Sequence, residues 1–359
     1  MLRASRISLA LAVLGLASLV GCGGCSPAYV ARSAYEEARI LWRREPIADV
    51  LARPDVDPDT RKKLETLVAA RAFARDQLGL DVDGAYATYS NVSEGALLQV
   101  VSACERLRLR PYTWWFPIIG SVTYKGYFSE DDAKAEARRL EEAGYDTYVR
   151  PSLAFSTLGW FDDPVLSSWL VADRARLVEL VIHELLHRTT YLAGETAFNE
   201  SFANFVGNRG AIAFFTATEG EDAAETEEAR ATWAAELKSS DHLMRAIAEL
   251  RALYAAVARE RRPLGVALEQ RDAIFAQLGD PKRINNAVIL ALAAYEDRLA
   301  WFEDAAARSD DLRSAIALVR TRSEADREHP WRALALLAGR PAPAEDGSAS
   351  DPGKDAPGA

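Results

Sequence analysis

The sequence predicts an α+β fold, predominantly helical, with one small sheet. Three observations lead there. From Leu177 to Leu192 runs a single helical pattern that contains His183-Glu184-Leu185-Leu186-His187. Ahead of it, between Tyr112 and Leu158, the composition turns to the aromatic and β-branched residues of strands. On both sides apolar residues recur at helical spacing over long stretches. A chain of 359 residues that is 49% hydrophobic and 9% aromatic folds, and is long enough for one large or two ordinary domains.

Taken in order, residues 1–21 read as a secretion signal. Arg3 and Arg6 precede an apolar run, Ile7 to Val20, that is too short to span a bilayer. The run ends in Leu19-Val20-Gly21-Cys22, which resembles a bacterial lipobox, so Cys22 is the expected lipidated residue after cleavage before it. Cys25, behind Cys22-Gly23-Gly24, fits that pattern less well. Gly23, where an aspartate is absent, resembles lipoproteins sent on to the outer membrane. The expected location is therefore the bacterial cell envelope, lipid-anchored and facing the periplasm. Cys104 is the only other cysteine, so a disulfide framework is not expected. With 43 basic against 53 acidic residues the net charge is −10, and loss of the signal, with its two arginines, makes it more negative. That balance argues against nucleic acid as a partner and against electrostatic docking on anionic lipid, leaving the lipid anchor as the membrane attachment.

Residues 22–110 read as a mostly helical N-terminal region. Ala34, Ala38, Leu41 and Trp42 mark one amphipathic helix, and Leu64, Leu67, Ala70, Phe73 and Leu78 another, with Pro46 and Pro54-Asp55-Val56-Asp57-Pro58 between them.

Residues 111–215 form the expected core. Trp114 to Ile119 and Val122 to Tyr124 have strand composition with Gly120 at a bend; Ser129 caps a helix that Gly144 closes; strands follow at Thr147–Val149 and Ser152–Leu158. The last, through Ser156 and Thr157, is the candidate edge strand for pairing with an extended substrate backbone, as in peptidases built on the same five-residue motif. Gly159-Trp160-Phe161-Asp162-Asp163-Pro164 behind it reads equally well as a capped turn.

In the helix that follows, His183 and His187 stand four residues apart and so project from one face, close enough to grip one ion. Glu184 lies beside them, where it can take a proton from a water. The bland alternative is a buried helix whose histidines merely hydrogen-bond. His242 and His329 are far along the chain and position 193 is Ala193, so a third ligand has to be a carboxylate. A turn at Ala193-Gly194 lets a second helix, starting near Thr196, fold back antiparallel and bring Glu200 opposite the histidine pair. Glu195, in the turn itself, is the rival.

Residues 216–340 read as a C-terminal helical region behind an acidic bridge, Glu219 to Glu228. Leu243, Ile247, Leu250, Tyr254 and Val257 form one stripe, and Ile289, Ala293, Leu299 and Phe302 lie on one partner helix. Asn285 and Asn286 open that helix, as caps or as groups reaching a substrate backbone. Residues 341–359, rich in Pro, Gly, Ser, Ala and Asp, read as a disordered tail.

Tyr127-Phe128-Ser129, Ser156 to Pro164, His183 to His187, Thr196 to Ala203 and Asn285-Asn286-Ala287 together make a chain that resembles the bacterial zinc-dependent aminopeptidase lipoproteins, a predicted family of gluzincin-type HExxH peptidases. The resemblance runs from about Tyr29 to about Arg340. It implies a zincin-like core, peptide or protein substrates, one zinc ion (Zn2+) on His183, His187 and Glu200, and Glu184 as catalytic base. It also implies a phenol or imidazole from the downstream helices at the oxyanion, for which Tyr295 is the first choice and Tyr191 and His242 are competitors. The better-known gluzincins carry an aspartate four residues after the third ligand; here Asn204 stands there, an acceptor without charge for a histidine N–H. An aminopeptidase also needs a carboxylate for the substrate ammonium, with Glu195, Asp162 and Asp163 as nominations. A scaffold lipoprotein with a structural zinc site is the competing reading.

Overall fold

The computed structural model describes residues 35–36, 38–92, 98–116, 120–152 and 162–343. Cys22, Ser156, Thr157 and most of the expected strand Ser152–Leu158 lie outside the described residues, as do most of the tail and the whole signal.

From the N-terminus, β1 (Glu45–Pro46), α1 (Ile47–Leu51) and α2 (Pro58–Phe73) lead through a π-helical turn, Ala74–Leu78, to β2 (Thr88–Ser90) and β3 (Leu98–Glu105). Next come the hairpin of β4 (Trp114–Phe116) and β5 (Gly120–Val122), then β6 (Tyr124–Tyr127), α3 (Glu130–Glu142), β7 (Tyr145–Ser152) and β8 (Val165–Leu166). After a 3-10 turn the chain is helical: α4 (Arg174–Thr189), α5 (Thr196–Thr218), α6 (Ala224–Glu260), α7 (Leu264–Phe275), α8 (Asn286–Glu296), α9 (Leu299–Ala306), α10 (Leu312–Ala325) and α11 (Pro330–Ala338). The fold is thus predominantly helical α+β.

The centre is the antiparallel pair of α4 and α5. Asp173 caps α4 by accepting from Arg176 N at 2.7 Å. Leu177, Val178, Leu180, Val181, Ile182, Leu185 and Leu186 are all buried, and so are Glu179 and His183, so this helix sits in the interior and carries polar side chains in with it. Leu185 is wholly buried; truncation to alanine there costs about 2–5 kcal/mol. On α5, Gly207 and Gly210 face α4: a Cβ at Gly207 would lie 2.8 Å from Glu179 O, and one at Gly210 would lie 2.9 Å from Ile182 Cδ1. These two positions admit no side chain without displacement, and they let the helices approach closely. Glu200 lies two turns before Gly207 on the same face, so the close approach aims its carboxylate at α4. The connection is tied by Asn199, whose side chain accepts from Leu192 N at 2.9 Å and donates to Leu192 O at 2.7 Å. Gly194 takes the turn at φ 82°.

The main sheet has the order β6-β3-β7, antiparallel throughout, with Val100 opposite both Gly126 and Arg150. One face packs Val101, Ala103 and Tyr127 against Ala133, Ala137 and Leu140 of α3. Because strand residues alternate between faces, Tyr124, Tyr148 and Arg150 point the other way, toward α8. A second sheet, β1-β2-β8, and an aromatic cluster of Phe198, Phe202, Phe302 and Trp331 complete the main core.

The structure differs from the sequence expectations at several places. The segment read as a mostly helical N-terminal region supplies β2 and the central strand β3: in Leu98-Gln99-Val100-Val101-Ser102-Ala103-Cys104-Glu105 both faces are covered, so burial does not alternate cleanly. The helix that carries the two histidines begins at Arg174 and ends at Thr189, and Leu192 is buried outside it. Trp42, placed on an amphipathic face, is 92% exposed. The acidic bridge is shorter than expected, because α6 starts at Ala224. The partner helix read as one is two: Arg298 at φ 52° breaks α8 from α9, leaving Ile289 and Ala293 on the first and Leu299 and Phe302 on the second.

Candidate metal centre

His183 and His187 come from one face of α4, and Glu200 from the facing side of α5. His183 Nε2 lies 3.1 Å from His187 Nε2; Glu200 Oε2 lies 3.3 Å from His183 Nε2 and 3.5 Å from His187 Nε2. An ion bound tetrahedrally at about 2.0–2.1 Å holds its ligand atoms roughly 3.3–3.4 Å apart. The three edges match that spacing, so the donors are arranged as one face of a tetrahedron and fit a metal ion. This is the one group of at least three such side chains among the described residues. Glu195, the rival ligand, is not in it.

Without a cation the cluster holds a proton. Burial opposes charge on His183, yet the hydrogen bond to Glu200 and its charge, with Glu184 and Glu179 nearby, raise its pKa to about 9. Burial likewise opposes the Glu200 anion, but the two histidines hold it well below the usual carboxylate range. A site that binds a positive charge this firmly is suited to a cation.

Glu184 sits beside the cluster on α4. Burial pushes its pKa up against the pull of His183 and His187, and Glu200 and Asp163 add to the rise. A carboxylate so placed is a better base than an exposed one. The Tyr86 hydroxyl bonds to Glu184, and Tyr86 itself is buried, packed on Trp169 with ring centroids 5.2 Å apart.

Around these groups stand three phenols. Tyr295, at the end of α8, lies stacked on His183 with centroids 6.2 Å apart; burial and the Glu200 charge raise its pKa, which keeps it a hydrogen-bond donor. Tyr191 is edge-on to His187 at 6.2 Å and is 58% exposed. Tyr124 of β6 faces the same region, with Glu200, Tyr191, Arg150 and Glu184 among the charges acting on it. His242, the third oxyanion candidate, is exposed on α6. Asp162 pairs with Arg188 at 3.4 Å, and Asp163 is buried, its carbonyl accepting from Tyr86 N at 2.8 Å.

Two expected site residues have other work. Asn204 does not reach the histidines. Its Nδ2 donates to Glu236 Oε2 at 2.9 Å and Tyr295 O at 3.1 Å, and its Oδ1 accepts from Asn208 at 3.0 Å, so its amide joins α5, α6 and α8. The carboxylate nearest that role is Glu179, buried one turn before His183. Asn286 is fully buried: Nδ2 donates to Glu105 O at 2.8 Å and Arg106 O at 3.1 Å, and Oδ1 accepts from Tyr254 at 2.7 Å. No polar atom of that side chain is left for a substrate. Asn285 caps α8, accepting from Val288 N at 3.0 Å.

Tyr86, Tyr124 and Arg150 were not singled out from the sequence. Tyr86 lies in a segment without periodicity. Arg150 and Tyr124 were legible only through strand alternation once α3 was assigned to the opposite face.

A helical pair presenting an HExxH face to a carboxylate defines a candidate metal-dependent hydrolase. A family model described as Putative aminopeptidase matches residues 28–280, well over half of the chain, and the protein belongs to that family, which points to a peptidase. Comparison with curated proteins and with solved structures finds no match.

Proposed function

We propose that this protein is a zinc-dependent aminopeptidase with a zincin-like core. The observation that carries the reading is the triangle of His183, His187 and Glu200, with edges of 3.1, 3.3 and 3.5 Å, and Glu184 beside it on the same helix. Two imidazoles and one carboxylate are the donor set of catalytic zinc sites, and three protein ligands among the described residues leave a position open, which a closed structural site does not. When bound, the ion supplies a Lewis acid that polarises a carbonyl and makes a water acidic. Glu184 takes the proton of the attacking water and passes it to the departing amine. Tyr86 holds Glu184 in place. Tyr295, protonated and adjacent, donates to the developing oxyanion. The sequence Leu19-Val20-Gly21-Cys22 supports attachment to a membrane through lipid on Cys22. A Cys22→Ala chain released from membranes supports the anchor, and one still held there contradicts it.

The test is metal analysis of purified protein together with amino-acyl fluorogenic substrates, with and without chelator. About one zinc per chain and chelator-sensitive release are expected. Hydrolysis that persists after complete metal removal contradicts the proposal.

A further inference from the structure

We propose that Arg150 docks a carboxylate of the substrate, so that the site takes short peptides with a free C-terminus. The inference rests on the peptidase reading above and names its substrate class. Arg150 lies on β7 opposite Val100, on the face turned away from α3. Its guanidinium carbon stands 5.7 Å from the centroid of the Tyr295 ring, the ring stacked on His183. The side chain is half-buried and makes a polar contact with the Tyr295 hydroxyl.

Three partly buried arginines hold carboxylates, Arg174 with Glu219 and Glu225, Arg271 with Asp146, and Arg298 with Asp297, while Arg61 and Arg71 donate to backbone carbonyls. Arg150 forms no ion pair among the described residues. A guanidinium carries five donors in a fork that matches a carboxylate, and the phenol uses only part of it. Glu200, whose charge acts on Tyr295, is committed to the two histidines. A half-buried cation with no carboxylate partner among the described residues, beside a candidate metal centre, is stabilised by an anion that arrives with the substrate.

Asp163 acts on Glu184, and its carbonyl accepts from Tyr86 N. A short peptide brings a terminal carboxylate to Arg150, and an interior stretch of a protein chain has none to offer.

The experiment uses metal-loaded protein made inactive by Glu184→Gln, and calorimetry with tri-alanine and tri-alanine amide. Loss of charge-assisted hydrogen bonds predicts binding of the amide about 10- to 100-fold weaker. Adding Arg150→Met, which keeps the stem, should abolish the difference. If that variant melts well below its parent, Arg150→Lys, which keeps the charge without the fork, should shrink it. Equal affinity for acid and amide overturns the proposal, as does an undiminished difference in the Arg150 variants. Ala-Ala-Asp amide separates the carboxylate's source: binding as tight as that of tri-alanine assigns Arg150 to side-chain carboxylates and overturns the C-terminal claim. The peptidase reading fails separately, when metal-loaded wild type cleaves neither acids nor amides.

Discussion

Tyr86 reaches Glu184 from a backbone position in the left-handed region, φ 55°, that tyrosine rarely adopts. Such a conformation costs on the order of 1–3 kcal/mol and persists only where the surroundings impose it. Here Asp163 O receives Tyr86 N, and Arg71 Nε donates to Ala85 O at 2.6 Å. Tyr86→Phe keeps the backbone and the packing on Trp169 while removing one hydrogen bond. A fall in kcat of about tenfold is expected, with KM and zinc content unchanged. Wild-type kcat in this variant would mean that Glu184 is positioned without Tyr86.

The ligand set makes a second prediction. Glu200→Ala should lose the metal, whereas Glu195→Ala, in the turn, should keep about one ion per chain. Chelator competition reads both. Retained metal in Glu200→Ala with loss in Glu195→Ala would reverse the assignment.

The metal-free protein should have a distinctive pH dependence. The pKa of His183 is raised from 6.5 to about 9 in the folded state, so its contribution to stability is fully present below 6.5 and is lost as pH rises through about 9. Thermal melts of chelator-treated protein should therefore fall between pH 6.5 and 9. Glu200→Gln should flatten that slope. Chelated wild type with no slope in this window would mean that His183 is not stabilised by Glu200.

Asn286 provides a stability prediction away from the chemistry. Asn286→Ala takes a partner from the Glu105 carbonyl and from the buried Tyr254 hydroxyl, at a cost of about 1–3 kcal/mol, while Arg106 O keeps its bond from Arg271. The melting temperature should drop while zinc content per folded chain stays the same. An unaltered melting temperature with weakened substrate binding would return Asn286 to the site.

Much of the candidate site was legible because its signals are local. The i, i+4 spacing puts His183 and His187 on one face whatever surrounds them, and Gly194 marks the turn that brings Glu200 back. What was not legible is non-local. Asn204 sits four residues past Glu200, which fixes its face, but Glu236, thirty-two residues on, decides what its amide does. Asn286 at a helix start looked like a cap or a substrate contact; Asn285 is the cap, and only the Glu105 carbonyl at the end of β3 and the Tyr254 hydroxyl show that Asn286 is a buried clamp. β3 itself, covered on both faces, lacks the alternation by which a half-exposed strand is recognised.

The central claim is that Glu184 works as a base beside a metal it does not bind. Glu184→Gln preserves size and leaves the three ligands in place, so zinc content and melting temperature should match the wild type. Peptide hydrolysis should fall by about 10²- to 10⁴-fold, or more because the same group delivers the proton to the leaving amine. Measuring the two on one preparation is the most direct test. Full metal with activity lost is the predicted result; full metal with activity undiminished would contradict the mechanism.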